Sequence, residues 1–315
     1  TIPGIKVMNK AETKTPKIEP LKMMLNMELA MIDTIHEEKI TSNGEERVKN
    51  NNIEEQPTNE KVEEIQTGVK TEVLENNVPT KFTDEYNGVK VKNGTDNKLT
   101  KEILTPNVNI NMKNVLIFHT HTCESYTPSQ AYPYKQTGNF RTTDRNYSVV
   151  RVGRELENYL KPYGYNIIHD ESYHDYPSYS GSYSSSLETV EKILKENSGY
   201  DIVLDLHRDA IGDNTYAPTV KIGEEYAAQL MFVIGSNGGV DEHENWQENL
   251  KFAVKVQEKA NELYPGLFKP IILRNSDYNQ FVSKAACIIE VGATGNTLEQ
   301  CLASMKYLSK VIREL

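Results

Sequence analysis

Apolar positions along this chain fall into two patterns. From residue 101 onward, short unbroken apolar runs alternate with stretches in which apolar residues recur every three or four positions. Val115–His121 (VLIFHTH), Asp201–Leu206 (DIVLDL) and Ala286–Val291 (ACIIEV) belong to the first kind and predict strands covered on both faces. Helical spacing predicts helices over Asn146–Tyr163, Ser186–Asn197, Asn245–Leu263 and Leu298–Leu315; in the first, Val149, Val152, Leu156 and Leu160 share one face. Asn166–His169 and Pro270–Leu273 read as shorter strands, and Thr219–Ile222 with Ala228–Ile234 as a paired hairpin. Strands alternating with helices predict one α/β domain over residues 101–315, a mostly parallel sheet covered by helices on both faces.

Before residue 101 the pattern dissolves. Leu21–Ile35 (LKMMLNMELAMIDTI) carries apolar residues at helical spacing and predicts an isolated amphipathic helix within an N-terminal segment, residues 1–37. It is expected to pack on the main domain or fray, or else to dock on a partner or lie near a membrane. Residues 38–100 are dominated by Lys, Glu, Asn and Thr, and Ser42–Lys61 has no aromatic residue. Such a segment buries too little apolar surface to offset its ordering entropy. It is expected to be a mostly disordered linker, with a weak strand pattern around Val89–Val91.

Composition sharpens this division. Hydrophobic residues make up 37% of the 315, below the ~45–50% of a typical globular domain. A net charge of -10 argues against a nucleic-acid partner, because such binding neutralises phosphates with Lys and Arg. Three cysteines leave no complete disulfide framework; Cys123, Cys287 and Cys301 read as packed core residues. No run of about 18 apolar residues is present to span a membrane. The chain begins at Thr1, so a processed or trimmed product is expected, which a signal peptide or anchor can have preceded.

Chemistry-bearing residues gather where the strong strands end. The first strand runs into His119, His121 and Glu124, the second into His207, Arg208 and Asp209, and the third carries Glu290. Open, mostly parallel sheets bind ligands at the carboxyl ends of their strands, so these segments are expected to converge. His121 and Glu124 form an H-x-x-E spacing, and His207 supplies a third donor, a set that suits zinc with an open fourth position. Glu290 is then the candidate base that takes a proton from the metal-bound water and delivers it to a leaving amine. Each feature also has a plain structural reading as a hydrogen-bonded residue after a strand. Positions 119 and 121 share a strand face by period two, so either histidine can point at the site. His121 is preferred as ligand because Glu124 lies within a turn of it, leaving His119 to support the site or touch substrate. Asp205, two residues before His207, is the candidate partner for its other ring nitrogen. His36, His169, His174 and His243 lack partner spacing and read as surface residues. There is no G-x-S-x-G elbow. Gly235–Gly239 (GSNGG) lacks the ending of a phosphate loop and reads as a turn. The stretch Tyr173–Tyr183 (YHDYPSYSGSY) reads as an ordered surface loop or as a rim that stacks on sugars or peptides.

Four segments together resemble the stage II sporulation protein P family: VLIFHTHTCESY at 115–126, DIVLDLHRDA at 201–210, FVIGSNGG…NWQENLKFA across 232–253, and CIIEVGATGNTLEQ at 287–300. The resemblance covers roughly residues 110–315. It implies a zinc-dependent N-acetylmuramoyl-L-alanine amidase on a phosphorylase/hydrolase-like α/β fold. It also implies endopeptidase activity on peptide cross-links. By the same resemblance, the metal ligands are His121, Glu124 and His207, the catalytic glutamate is Glu290, and Asn279 and Gln280 line the cleft. Arg208 and Arg274 are candidates for binding substrate carboxylates, or are surface salt bridges. Implied partners are peptidoglycan, the lytic transglycosylase stage II sporulation protein D and a membrane protein that recruits both. The implied location is extracytoplasmic, between mother cell and forespore during engulfment, with the full-length form membrane-anchored or secreted. Two rivals use the same residues: a metallo-carboxypeptidase or endopeptidase on stem peptides, and a degenerate wall-binding scaffold.

Overall fold

The computed structural model describes residues 69–75, 81–211, 214–236 and 245–315. The amphipathic segment Leu21–Ile35, His36 and His243 lie outside the described residues, as do 38–68 and 76–80 of the expected linker.

An eight-stranded sheet organises the domain. Its strands are β2 (Asp84–Tyr86), β3 (Val89–Asn93), β4 (Asn114–Phe118), β5 (Asn166–His169), β6 (Ile202–Asp209), β9 (Leu230–Gly235), β10 (Ile271–Arg274) and β11 (Ala285–Ala293). They lie in the order β2-β3-β10-β9-β11-β6-β4-β5. β11, β6, β4 and β5 are mutually parallel, as are β3, β10 and β9, while β9 meets β11 antiparallel and β2 meets β3 antiparallel. A separate three-stranded antiparallel sheet joins β1 (Thr71–Val73), β7 (Thr219–Ile222) and β8 (Glu225–Ala228).

Helices cover both faces, for the reason the unbroken apolar runs suggest. Val115 and Ile117 of β4 pack with Val149, Val152, Leu156 and Leu160 of α2 (Val149–Leu160) and with α5 (Leu298–Arg313). Leu116 and Phe118, which alternate with them, pack instead with Val203, Ala286 and Val190 of α3 (Ser182–Glu196). Burying one such aliphatic side chain stabilises by about 1.5–3 kcal/mol. Local signals set the helix ends. The Ser148 side chain caps α2 by accepting from the Val150 amide, and Gly164, at φ 75°, ends the short turn that follows it. Thr297 and Gln300 form a capping box on α5. A four-residue turn, α1 (Lys101–Leu104), the long α4 (Trp246–Leu263) and a short 3-10 turn at Gln280–Val282 complete the described elements.

Two expectations are corrected. The stretch 69–75 and 81–100, expected within the linker, contributes β1, β2 and β3 to the domain. Val89 and Val91 are fully buried while Lys90 points to solvent, and Val91 pairs in parallel with Ile271. The period-two signal of VKVKN is real but too short to stand out in polar surroundings. The expected hairpin also differs: β7 pairs with β8, and Leu230–Gly235 enters the main sheet between β10 and β11. LMFVIG is buried at every position, as a central strand requires.

Candidate active site

β11, β6 and β4 are adjacent and parallel, so their carboxyl ends lie together. β6 runs three residues further than expected and carries His207 as its sixth residue. Glu290 is the register partner of His207 on β11, and Ile288 of Asp205. Val203 faces α3, so by strand alternation Asp205 and His207 do too. The loop after β4 brings His121 and Glu124 to the same place.

The contacts are close. Glu124 Oε2 lies 3.6 Å from His207 Nδ1 and accepts a 3.1 Å hydrogen bond from the Arg208 amide. His207 Nε2 lies 2.8 Å from Asp205 Oδ1. Asp205 is held in turn by the Thr120 amide at 2.8 Å and the Thr120 hydroxyl at 2.7 Å. The His121 and His207 rings stand nearly perpendicular, with centroids 5.1 Å apart. His121 is walled by Tyr179, stacked at 4.6 Å with its hydroxyl 3.1 Å from Nε2, and by Tyr183, edge-on at 5.6 Å. Ser182 Oγ approaches its Nδ1 at 3.4 Å. All four of His121, Glu124, His207 and Glu290 are buried.

Burial and neighbouring charge divide the titratable groups. Burial, reinforced by His207 and two arginines, holds the His121 imidazole well below its usual range, so it is neutral. For His207 burial also disfavours charge, but Asp205, Glu124 and Glu290 outweigh it and push the ring up to about 10. Burial raises the Glu290 carboxyl, opposed by His207 and reinforced by Asp209 and Glu124. Burial would raise Asp205 as well, but His207 and the Thr120 hydrogen bonds prevail and lower it.

Among the described residues, no three His, Cys, Asp or Glu side chains are gathered closely enough, as they stand, to hold a metal ion. Two observations nevertheless fit one. The donor set is two imidazoles and a carboxylate, with the far nitrogen of His207 on a carboxylate, as zinc sites prefer. Two buried oxygens, Glu290 Oε2 and the Tyr183 hydroxyl, have no hydrogen-bond partner, which in a folded protein signals an ion, water or ligand.

The remaining sequence candidates are placed differently. His119 turns to the opposite side of the sheet: its Nδ1 lies 2.9 Å from the Leu206 carbonyl oxygen and its Nε2 2.9 Å from His169 Nε2, beneath Gly153 of α2. The strand stops at Phe118, so period two does not carry across to 121. Arg208 is buried rather than a surface salt bridge, and its guanidinium is committed. Nε donates to the Ser125 carbonyl at 3.0 Å, Nη2 to that of Phe140 at 3.3 Å, and Nη1 lies 3.7 Å from Glu124. Gln280 fastens the end of β9 through the Gly235 amide and the Val233 carbonyl. Asn279, at φ 60°, donates to the Tyr183 carbonyl at 2.8 Å and to Ser186 Oγ at 3.2 Å, tying its turn to α3. Arg274 ends β10, half-buried, with its charge acting on the Tyr278 hydroxyl. His174 is buried, with Nδ1 2.8 Å from the His119 carbonyl oxygen, and the His169 side chain is enclosed, so neither is a surface residue. Cys123 is buried, its thiol pushed up to about 12 by burial and Asp175, which suits packing rather than reactivity.

Tyr179, Ser182, Tyr183 and Thr120 were not foreseen individually. α3 starts one turn earlier than its apolar pattern indicates, because the run SYSSS offers no apolar stripe yet continues the helix from Gly181. The tyrosine-rich stretch was the available signal for three of them.

A profile of the stage II sporulation protein P family matches residues 19–313. The chain belongs to that family. Stage II sporulation protein P of Bacillus subtilis (strain 168) is 27% identical over 216 residues, covering 64% of this chain and 51% of that protein. The chain thus spans about half the length of the curated relative it matches. Among solved structures, the amidase CwlD of Clostridioides difficile, in complex with the lipoprotein GerS, aligns over 64% of this chain and 94% of that one at 12% identity and a TM-score of 0.39. An N-acetylmuramoyl-L-alanine amidase from Clostridium difficile 630 aligns over 64% and 92% at 17% identity and a TM-score of 0.38. At those scores the two likenesses carry no weight for the chemistry. Membership of the stage II sporulation protein P family rests on the profile, and none of the described helices is long and apolar enough to cross a membrane.

Proposed function

We propose that this member of the family is a peptidoglycan hydrolase of sporulation that cleaves the amide between N-acetylmuramic acid and L-alanine, with zinc as cofactor. The observation that carries this reading is the pairing of His207 with Glu290 across adjacent strands, beside Glu124 and His121, with one Glu290 oxygen buried and unpartnered. His121, Glu124 and His207 would hold the metal, which when bound lowers the pKa of a water toward ~7 and polarises a carbonyl.

The chain's own groups then have definite tasks. The Asp205 carboxylate lies 2.8 Å from His207 Nε2 and turns Nδ1 to the Glu124 side, where it would serve as a metal ligand once its proton is displaced. The Arg208 amide orients Glu124. Glu290 is buried and its proton affinity is raised, so it can take a proton from an attacking water and return it to the departing amine nitrogen. Tyr179 and Tyr183 enclose His121 and limit water. An added endopeptidase activity, stage II sporulation protein D and a membrane recruiter as partners, and a place between mother cell and forespore are proposals supported by family membership alone.

The test separates ligand from base. Glu290→Gln is expected to keep zinc and lose about 10²–10⁴ in turnover, whereas His207→Ala loses both metal and turnover. Equal zinc loss in the two variants, read by atomic absorption, would make Glu290 a ligand and overturn the assignment.

A further inference from the structure

Asp205, which faces His207, also ends a buried hydrogen-bond chain that leads away from the candidate site. Its Oδ1 accepts from the Thr120 amide at 2.8 Å and lies 2.8 Å from His207 Nε2. Its Oδ2 accepts from the Thr120 hydroxyl at 2.7 Å. That hydroxyl is also 2.8 Å from Ser186 Oγ on α3, and Ser186 Oγ is 3.2 Å from Asn279 Nδ2. Thr120, Ser186, Asp205 and Asn279 are all buried.

The chemistry of the two ends sets the direction of every bond between them. A carboxylate only accepts, so Thr120 commits its one hydroxyl proton to Asp205. Its contact with Ser186 is then a hydrogen bond with Ser186 donating. At the far end, Asn279 Nδ2 lies 2.8 Å from the Tyr183 carbonyl oxygen. A carbonyl oxygen only accepts, which fixes the amide orientation and makes Asn279 the donor to Ser186 as well. Ser186 Oγ has the Tyr183 carbonyl 3.1 Å away too, but Asn279 already serves that oxygen and the Thr120 contact is shorter. The protons therefore run one way, from Asn279 through Ser186 and Thr120 to Asp205. Bonds ordered head to tail polarise one another. They also hold a carboxylate that could otherwise turn about its Cβ–Cγ bond, and with it the oxygen that faces His207.

We propose that Thr120 and Ser186 are positioning residues for the metal site: they hold Asp205 in place, and through it the ring of His207, and so tie that ring to α3. This rests on the metal reading of the proposed function and extends it beyond Asp205.

The test measures zinc affinity of the full chain by competition with a chromogenic chelator. Circular dichroism shows that each metal-free variant is folded at the temperature of the titration. Thr120→Val, which keeps the shape and drops the hydroxyl, is expected to weaken zinc binding about tenfold, and Thr120→Ser to restore most of it. Ser186→Ala is expected to weaken it about threefold alone and to cause no further loss in the Thr120→Val background, because its effect passes through that hydroxyl. A hydroxyl that only supports the fold would lower the melting temperature and leave zinc affinity unchanged. That result overturns the proposal, as do Thr120→Ser as weak as Thr120→Val and a further loss of zinc affinity in the double variant. A wild-type chain that binds no zinc would remove the metal reading and the proposal with it. Equally tight zinc binding by wild type and Thr120→Val would remove the proposal alone.

Discussion

Single residues in this domain do different work on the two sides of one sheet. On the α3 side, His207 lies between the Glu124 and Asp205 carboxylates, with the unpartnered Glu290 oxygen on the neighbouring strand. On the other side, His119 and His169 form a neutral pair under α2. Burial above all lowers His119 to about 3, and burial also lowers His169 despite Glu157 and Glu171. Their folded pKa values lie below the unfolded value of about 6.5, so the unfolded chain binds more protons as pH falls. Their contribution to stability is present above about pH 6.5 and is lost on acidification, with His119 carrying the loss down to about 3. Denaturant melts of the metal-free protein should show this decline, and His169→Gln should flatten it; an unchanged slope would contradict it. Asn279 gives a second prediction at this scale. Asn279→Ala loses two hydrogen bonds and places a Cβ residue at positive φ, and is expected to cost about 2 kcal/mol. Asn279→Gly, which relieves the backbone, should cost less in the same urea titration.

At the scale of elements, close packing sets the limits. A Cβ on Gly153 of α2 would come 2.5 Å from His169 Nε2 and 2.9 Å from His119 Nε2. Gly153→Ala is expected to destabilise by about 1–3 kcal/mol, read by thermal melting. β3 tests the corrected domain boundary. Deleting residues 81–93 removes Val89 and Val91 from the core and leaves β10 as an open edge. At about 1.5–3 kcal/mol for each of the two side chains and about 2–4 °C per kcal/mol, the melting temperature should fall by about 6–24 °C. An unaffected melt would return these residues to the linker. What could be read from the sequence follows the same physics. β4, β6 and β11 were legible because strands covered on both faces are apolar throughout. VKVKN gave only a weak strand signal around Val89–Val91 and EYAA gave none, since four or five half-buried residues in polar surroundings look like loop. His119 keeps the face of Val115 and Ile117 under α2, and what was not legible is that His121 leaves that alternation once β4 ends at Phe118. Convergence of His121, Glu124, His207 and Glu290 was legible from strand ends alone. The tyrosine and serine wall was not, because a helix start without apolar residues leaves no periodic mark.

For the whole molecule, the arrangement puts a buried, polar, partly unpartnered pocket at the carboxyl edge of β11, β6 and β4, with Tyr179 stacked on its His121. The proposed function rests on this pocket together with family membership. The most direct measurement is mass spectrometry of the products from purified cross-linked peptidoglycan, with zinc-loaded and chelator-treated protein side by side. The account predicts stem peptides bearing a free L-alanine amine, released only in the zinc-loaded sample. Shortened or uncross-linked muropeptides with the lactyl amide intact would contradict it.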